Sequence, residues 1–220
     1  MLRNTVWIIL ICLSLCCGCV CVSSYRDLNI LSPYNVSPVP SEKRINKIVG
    51  LNSLTDNRPL KERDNLPPYS KLEQPVSDIV TSILLKDFKK SQLFKEIHYP
   101  AQPTDDIIIN GSINRLFGDY KVTSWGKFRQ DFGIVTLFPV FWLPAICVPI
   151  SQEYTAIDIS LEVKDSKTGV IIASFNASSK EDVESRGMRR GKSAAIAFRN
   201  VTNKLKEDMI EKVKHYYNIN

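Results

Sequence analysis

The segment Gly187-Met188-Arg189-Arg190-Gly191-Lys192-Ser193 carries the residue types of a phosphate-binding loop: glycines, a lysine and a hydroxyl. Such a loop needs four residues between its glycines, so that successive backbone N–H groups can encircle a phosphate. Here there are three, and Arg186 stands where the first glycine is needed. The sequence therefore predicts a basic turn rather than a nucleotide site, with Ser193 capping the helix that follows. Arg186, Arg189, Arg190 and Lys192 could also meet anionic headgroups. The rest of the chemistry-bearing side chains are sparse. His98 and His215 have no neighbours at metal-ligand spacing, so no metal site is expected. Cys147 has no histidine near it in sequence, and there is no Gly-x-Ser-x-Gly elbow. Asp105, Asp106 and Asp165 fall at predicted turns, and Asp158 on the solvated face of a predicted strand. No general acid/base pair emerges, so no catalytic residue and no cofactor is expected.

The thiols point elsewhere. Five of the six cysteines lie in the first 21 residues, and only Cys147 stands in the body of the chain. This is not a disulfide scaffold. Cys21 and Cys147 could pair, but Cys147 sits in an apolar run and reads as a small buried hydrophobe. Arg3 precedes an apolar stretch over 6–15, and Gly18 precedes Cys19. A charged start, a short apolar core and a small residue before a break describe a secretory signal over 1–18. Gly18-Cys19 resembles a bacterial lipobox, in which the signal is cut and the cysteine becomes a lipid-bearing first residue. Cys16 departs from the leucine usual three positions before the cysteine. An uncleaved anchor over 6–22 is the alternative, although its 17 residues are short against the roughly 20 a bilayer needs. Cleavage to a soluble secreted protein is a third.

Hydrophobic residues make up 44% of the 220 and charged residues 24%, which describes one globular domain able to bury a core. A net charge of +6 is a modest excess. It fits contact with anionic lipid or nucleic acid only weakly, and a solvated surface equally well; no nucleic-acid partner is expected. Residues 19–44 are rich in serine and proline without a period, and read as a tether. The triplets beginning at Asn35, Asn110, Asn176 and Asn200 would matter only in a glycosylating compartment.

Past the tether, the pattern predicts a strand over 45–51, then a long polar loop to Pro75. Val76, Ile79, Val80, Ile83, Leu84 and Phe88 recur at helical spacing, predicting a helix that ends near Phe94. A short strand follows over 97–99, a turn over 100–106, and a strand over 107–116 with Ile107, Ile109 and Ile113 on one face. Gly111 there suits a bulge or a close approach. Strict alternation from Thr155 to Lys164 predicts a half-buried strand. A turn at 165–169 returns it as a hairpin over 170–178, with Ile171, Ala173 and Phe175 inward. Phe198, Val201, Leu205, Met209, Val213 and Tyr216 form the apolar stripe of a final helix over 193–217. The expected fold is α+β: a mostly antiparallel sheet with two helices on one face, in the order β-α-β-β-insert-β-β-α, as one domain over 45–220.

The insert, 132–150, is 19 residues without a charge. Pro139, Pro144 and Pro149 forbid a continuous membrane helix. Its aromatic residues suit a partner or a membrane interface, with Phe138, Phe141, Trp142 and Leu143 as the contact residues. Alternatively it folds back as core or covers a sheet edge.

The Gly18-Cys19 start, the strand Ile48-Val49-Gly50-Leu51-Asn52 with Asp56-Asn57-Arg58, the helix from Val76 and the hairpin around Asp165-Ser166-Lys167-Thr168-Gly169 together resemble the small bacterial envelope lipoproteins. The domain in question is similar to the amino-terminal domain of TolB and to the curli-secretion lipoprotein. That resemblance covers about residues 45–217 and implies a periplasmic accessory or assembly role without catalysis. The apolar insert departs from it. The expectation is a non-enzymatic envelope lipoprotein, held by Cys19 to the outer membrane and facing the periplasm. Val20 and Cys21 lack the aspartate that resembles an inner-membrane retention mark. Its expected partners are the membrane and an envelope protein, with the oligomeric state left open by the sequence. The alternatives are an envelope hydrolase acting on cell-wall or lipid material, for which Asp56, Asp158 or His98 would have to gather in a pocket, and a single-pass anchored secreted protein.

Overall fold

The computed structural model describes residues 36–60, 75–124, 149, 151–185 and 191–217. Cys19, the signal and the contact residues Phe138, Phe141, Trp142 and Leu143 lie outside these, as do Cys147 and most of the tether. Among the described residues six strands form a single sheet, and two helices cover one of its faces. The strands are β1 (Ile45–Leu51), β2 (Thr55–Asp56), β3 (Phe94–His98), β4 (Ile107–Val122), β5 (Ser151–Asp165) and β6 (Ile171–Ser185). The helices are α1 (Val76–Ser91) and α2 (Lys192–Tyr217). Sheet order is β3-β1-β4-β5-β6, and β2 continues the line of β1 along β4. The long β4-β5-β6 meander is antiparallel, while β1 runs parallel to both β3 and β4. The fold is the expected α+β with a mostly antiparallel sheet. The short β2 is an addition, because two residues carry no periodic signal.

The predicted stripes form the core. Val76, Val80, Leu84 and Phe88 of α1 and Phe198, Val201, Leu205 and Met209 of α2 pack with Ile107, Ile109, Ile113, Ile157, Ile159 and Leu161 in one buried cluster. Lys206 of α2 reaches Asp87 of α1 at 2.6 Å inside it, tying the two helices together. The last residues of the tether segment dock on this body: Val39 is buried, and its N–H donates to Ser91 O at 2.7 Å.

The differences from expectation have local causes. α1 stops at Ser91, because Gln92 adopts a left-handed φ of 52° and its N–H turns back to the last carbonyls. Phe94 is therefore free to begin β3, and it packs edge-on against Phe88 at 5.7 Å. β4 runs to Val122 because Asn114 is an extra residue opposite β5: Ile113 pairs with Ile159, and Arg115 with Asp158. The bulge moves Leu116 onto the core side and hides the strand's continuation from a period-2 reading. Ile172 plays the same part in β6, where Val163 pairs with Ala173 and Lys164 with Ile171. Ile171, expected inside, is 51% exposed. Tyr216 is likewise exposed at the end of α2, and Tyr217 packs against the core in its place. Gly111 is a close approach rather than the bulge itself: a Cβ there would stand 2.7 Å from Ser160 O.

Candidate functional site

The residues singled out for partner contact lie outside the described residues, but the strands that flank their segment are described. β4 and β5 remain paired to their last described residues, with Val122 opposite Ser151. Beyond that pair, Thr123 Oγ1 donates to Pro149 O at 2.8 Å. The apolar segment therefore leaves and re-enters the sheet at one narrow neck. β6 ends at the same place, since Ser185 pairs with Ser151. The basic segment 186–190 thus departs from the same end of the sheet as the apolar one.

That end is opposite the entry of the chain. Val49 lies beside Ile107, the first residue of β4, so Ile45 and the segment before it lie beyond that start. The neck lies at the other end of β4, 16 residues away. At about 3.3 Å per residue the two ends are about 50 Å apart.

The start of α2 decides the phosphate-loop question. Glu153 Oε2 accepts the backbone N–H groups of Gly191, Lys192 and Ser193 at 3.1, 3.0 and 3.4 Å. A helix N-terminus presents orphan donors and a partial positive charge, which an anion satisfies. Here the anion is the protein's own buried carboxylate, so these donors are not offered to a nucleotide. Ser193 is not the cap that was expected: its hydroxyl pairs with Thr155 Oγ1 at 2.7 Å, and Glu153 caps the helix from 38 residues away. Gly191, with φ of 89°, makes the turn into the helix.

The chemistry-bearing side chains are spent on local partners. Asp56 holds Arg58 through two bonds, at 2.9 and 2.8 Å. Asp158 accepts from Asn114 at 3.4 Å. His98 Nδ1 is 2.6 Å from Asp105 Oδ1, and Nε2 is 3.0 Å from Glu96 Oε1. Its pKa is raised, first by the Asp105 hydrogen bond and then by Glu96. Asp105 is wholly buried beneath the 99–106 loop that crosses β1 over Gly50, and it also accepts the Gln102 N–H at 2.6 Å. This is a clasp on the crossover, which sequence spacing alone did not disclose. Asp165 organises the hairpin turn by accepting from Lys167, Thr168 and Tyr217, and the Thr168 N–H above all holds its pKa low. Burial, with Asp165 beside it, pushes the Tyr217 hydroxyl up. Among the described residues no group of three His, Cys, Asp or Glu side chains could hold a metal ion, and no helix is long and apolar enough to cross a membrane. One open groove of about 680 Å³ lies along β3 and the end of α1, lined by Arg44, Asn46, Lys89, Gln92, Lys95 and Glu96 over an apolar floor. None of Asp56, Asp158 and His98 lines it.

No family model and no curated protein matches the chain. Solved structures do. Protein XCC0632 from Xanthomonas campestris, of the DUF330 family, aligns with a TM-score of 0.50 at 11% identity, covering 84% of this chain and 94% of that one. The PelC dodecamer from Paraburkholderia phytofirmans aligns at 0.40 with 10% identity, over 78% and 92%. Lipoprotein GNA1162 from Neisseria meningitidis aligns at 0.33 with 9% identity, over 76% and 98%. At such identities the likeness is one of fold, and of these three it is the DUF330 protein whose score supports it.

Proposed function

We propose that this chain is a non-catalytic lipoprotein of the bacterial cell envelope. Acyl chains on Cys19 anchor it to the outer membrane on its periplasmic side, and it serves as an accessory or assembly factor. Its working surface is the 132–150 segment, with Phe138, Phe141, Trp142 and Leu143 meeting an envelope protein. The observation that carries this is the placement of the neck. The chain enters the domain at one end, and the apolar segment leaves it about 50 Å away, at the end of the β4-β5-β6 meander. A neck at the end of the sheet opposite the chain entry favours a protein partner over the membrane around the anchor. The accessory role is the one expected from the sequence resemblance to the TolB amino-terminal and curli-secretion domains, neither of which is among the solved structures named above. The hydrolase alternative draws no support from Asp56, Asp158 and His98, each engaged with its own neighbours.

Two experiments test the reading. Metabolic labelling with a fatty-acid analogue, read on the N-terminal peptide, is expected to place lipid on Cys19 and to lose it in Cys19→Ala. A photoreactive amino acid at position 142 is expected to crosslink a discrete envelope protein. An unlabelled chain retaining Met1 would discard the anchor, and crosslinks to lipid alone would replace the protein partner with the membrane.

A further inference from the structure

The end at which the chain enters is not bare. Val170 is 50% exposed, Ile171 51% and Tyr216 41%, three of the five exposed large hydrophobic side chains among the described residues. Direct contacts gather them. Val170 O closes the β5–β6 hairpin by accepting the Asp165 N–H at 2.9 Å, and Tyr217 donates its hydroxyl to the same aspartate at 2.8 Å. Tyr216 stands edge-on to Tyr217 at 4.9 Å. Lys47 lies 4.4 Å above the Tyr217 ring, and Lys214 donates to the Glu42 carbonyl, in the turn by which the chain enters. Hairpin tip, last turn of α2 and chain entry therefore form one surface. Its charges are sorted. Asp165 is satisfied by the turn and by Tyr217, and Asp106 accepts the Ile48 N–H at 3.1 Å. Lys43 and Lys167 stand exposed, with Glu42 the one exposed carboxylate in the entry turn.

We propose that this end of the domain sits on anionic phospholipid headgroups, with Val170, Ile171 and Tyr216 at headgroup level and Lys43 and Lys167 against the phosphates. The inference rests on the lipid-anchor reading. It adds which face of the domain the anchoring membrane covers, and hence that the neck points away from that membrane. Aliphatic and aromatic side chains rimmed by lysine suit the bilayer interface, where the apolar parts sink and the ammonium groups meet negative charge. The tether ending on this same surface favours lipid over a second protein, because a lipid on Cys19 would bring the bilayer to this end of the domain.

The test is a lysine acetylation footprint of the full lipidated chain, reconstituted in phosphatidylethanolamine–phosphatidylglycerol vesicles and compared with the chain in detergent. Lys167 and Lys43 are expected to be protected at least fivefold. Lys180 is exposed and nine residues along the ribbon from the tip, about 30 Å, and is expected to be unchanged. The double variant Val170→Asp/Ile171→Asp, with unchanged circular dichroism, is expected to lose most of the Lys167 protection. Equal modification of Lys167 in vesicles and detergent would overturn the proposal. So would equal protection of Lys180, or protection that appears in whole envelopes but not in protein-free vesicles. Undiminished protection in phosphatidylcholine vesicles would remove the role of anionic charge. The mass of the N-terminal peptide from the same digest reports the lipid on Cys19. Failure of the anchor is thereby distinguished from failure of the docking face.

Discussion

Replacing Lys206 by methionine isolates what joins the two helices. Lys206 Nζ and Asp87 Oδ1 are 2.6 Å apart, with side chains 8% and 1% exposed. At an effective dielectric of 20 their attraction is about 6 kcal/mol. Most of that offsets the cost of taking both charges out of water, so the pair contributes little net stability. Removing one partner is different, since the other keeps its desolvation cost without the attraction. Lys206→Met should therefore cost about 3–5 kcal/mol, a large share of the 5–15 kcal/mol that holds a typical domain folded. For a domain of this size, 4 kcal/mol corresponds to a fall in Tm of about 8–16 °C. The assay is thermal unfolding of the full chain in detergent, followed by far-UV circular dichroism, with urea unfolding as a second measure. Asp87→Leu combined with Lys206→Met should return to within about 1–2 kcal/mol of the parent, or exceed it, because an apolar pair of similar volume fills the site without desolvated charge. If Lys206→Met cost less than about 1 kcal/mol, or the double variant were as unstable as the single, the buried-pair reasoning would be wrong.

Three further predictions concern the crossover and the cap. Gly50→Ala places a Cβ 2.2 Å from Asp105 Oδ2 and 2.5 Å from Ala101 Cβ, so it should cost about 3 kcal/mol; an unchanged Tm would mean that the 99–106 loop does not cross there. Glu153→Ala removes the acceptor shared by three N–H groups at the start of α2, at a cost of about 2 kcal/mol, and amide exchange at residues 191–195 should accelerate while the middle of α2 is unaffected. His98 has its pKa raised above the ordinary 6.5 by Asp105 and Glu96, so the stability it contributes is fully present below pH 6.5 and lost as pH rises through the folded value. Melting curves from pH 5.5 to 9 should show this decline in the parent and not in His98→Asn; parallel curves would remove His98 from the clasp.

What could be read in the sequence was whatever repeats at a fixed period. The α1 and α2 stripes and the alternation of β5 each bury a face, and burial of a face imposes a period that survives in one dimension. The bulges at Asn114 and Ile172 each insert one residue, reverse the alternation and so shortened the reading of β4 and misplaced Ile171. Pairings between distant residues leave no local trace at all. Glu153 caps a helix 38 residues later, Lys206 answers an aspartate 119 residues earlier, and Asp105 clasps His98 only because the loop crosses over Gly50. Composition disclosed the candidate contact segment, a run of 19 residues without charge, but not its position in space. Where the strands that flank it end follows from topology. β1 lies parallel to β4, so the chain enters beside the start of the strand from whose far end the segment departs. Had β1 paired antiparallel with β4, entry and neck would share one end of the sheet, and contact with the anchoring membrane would be the simpler reading. The parallel register Val49–Ile107, Gly50–Ile108 and Leu51–Ile109 is what puts entry and neck at opposite ends of the sheet.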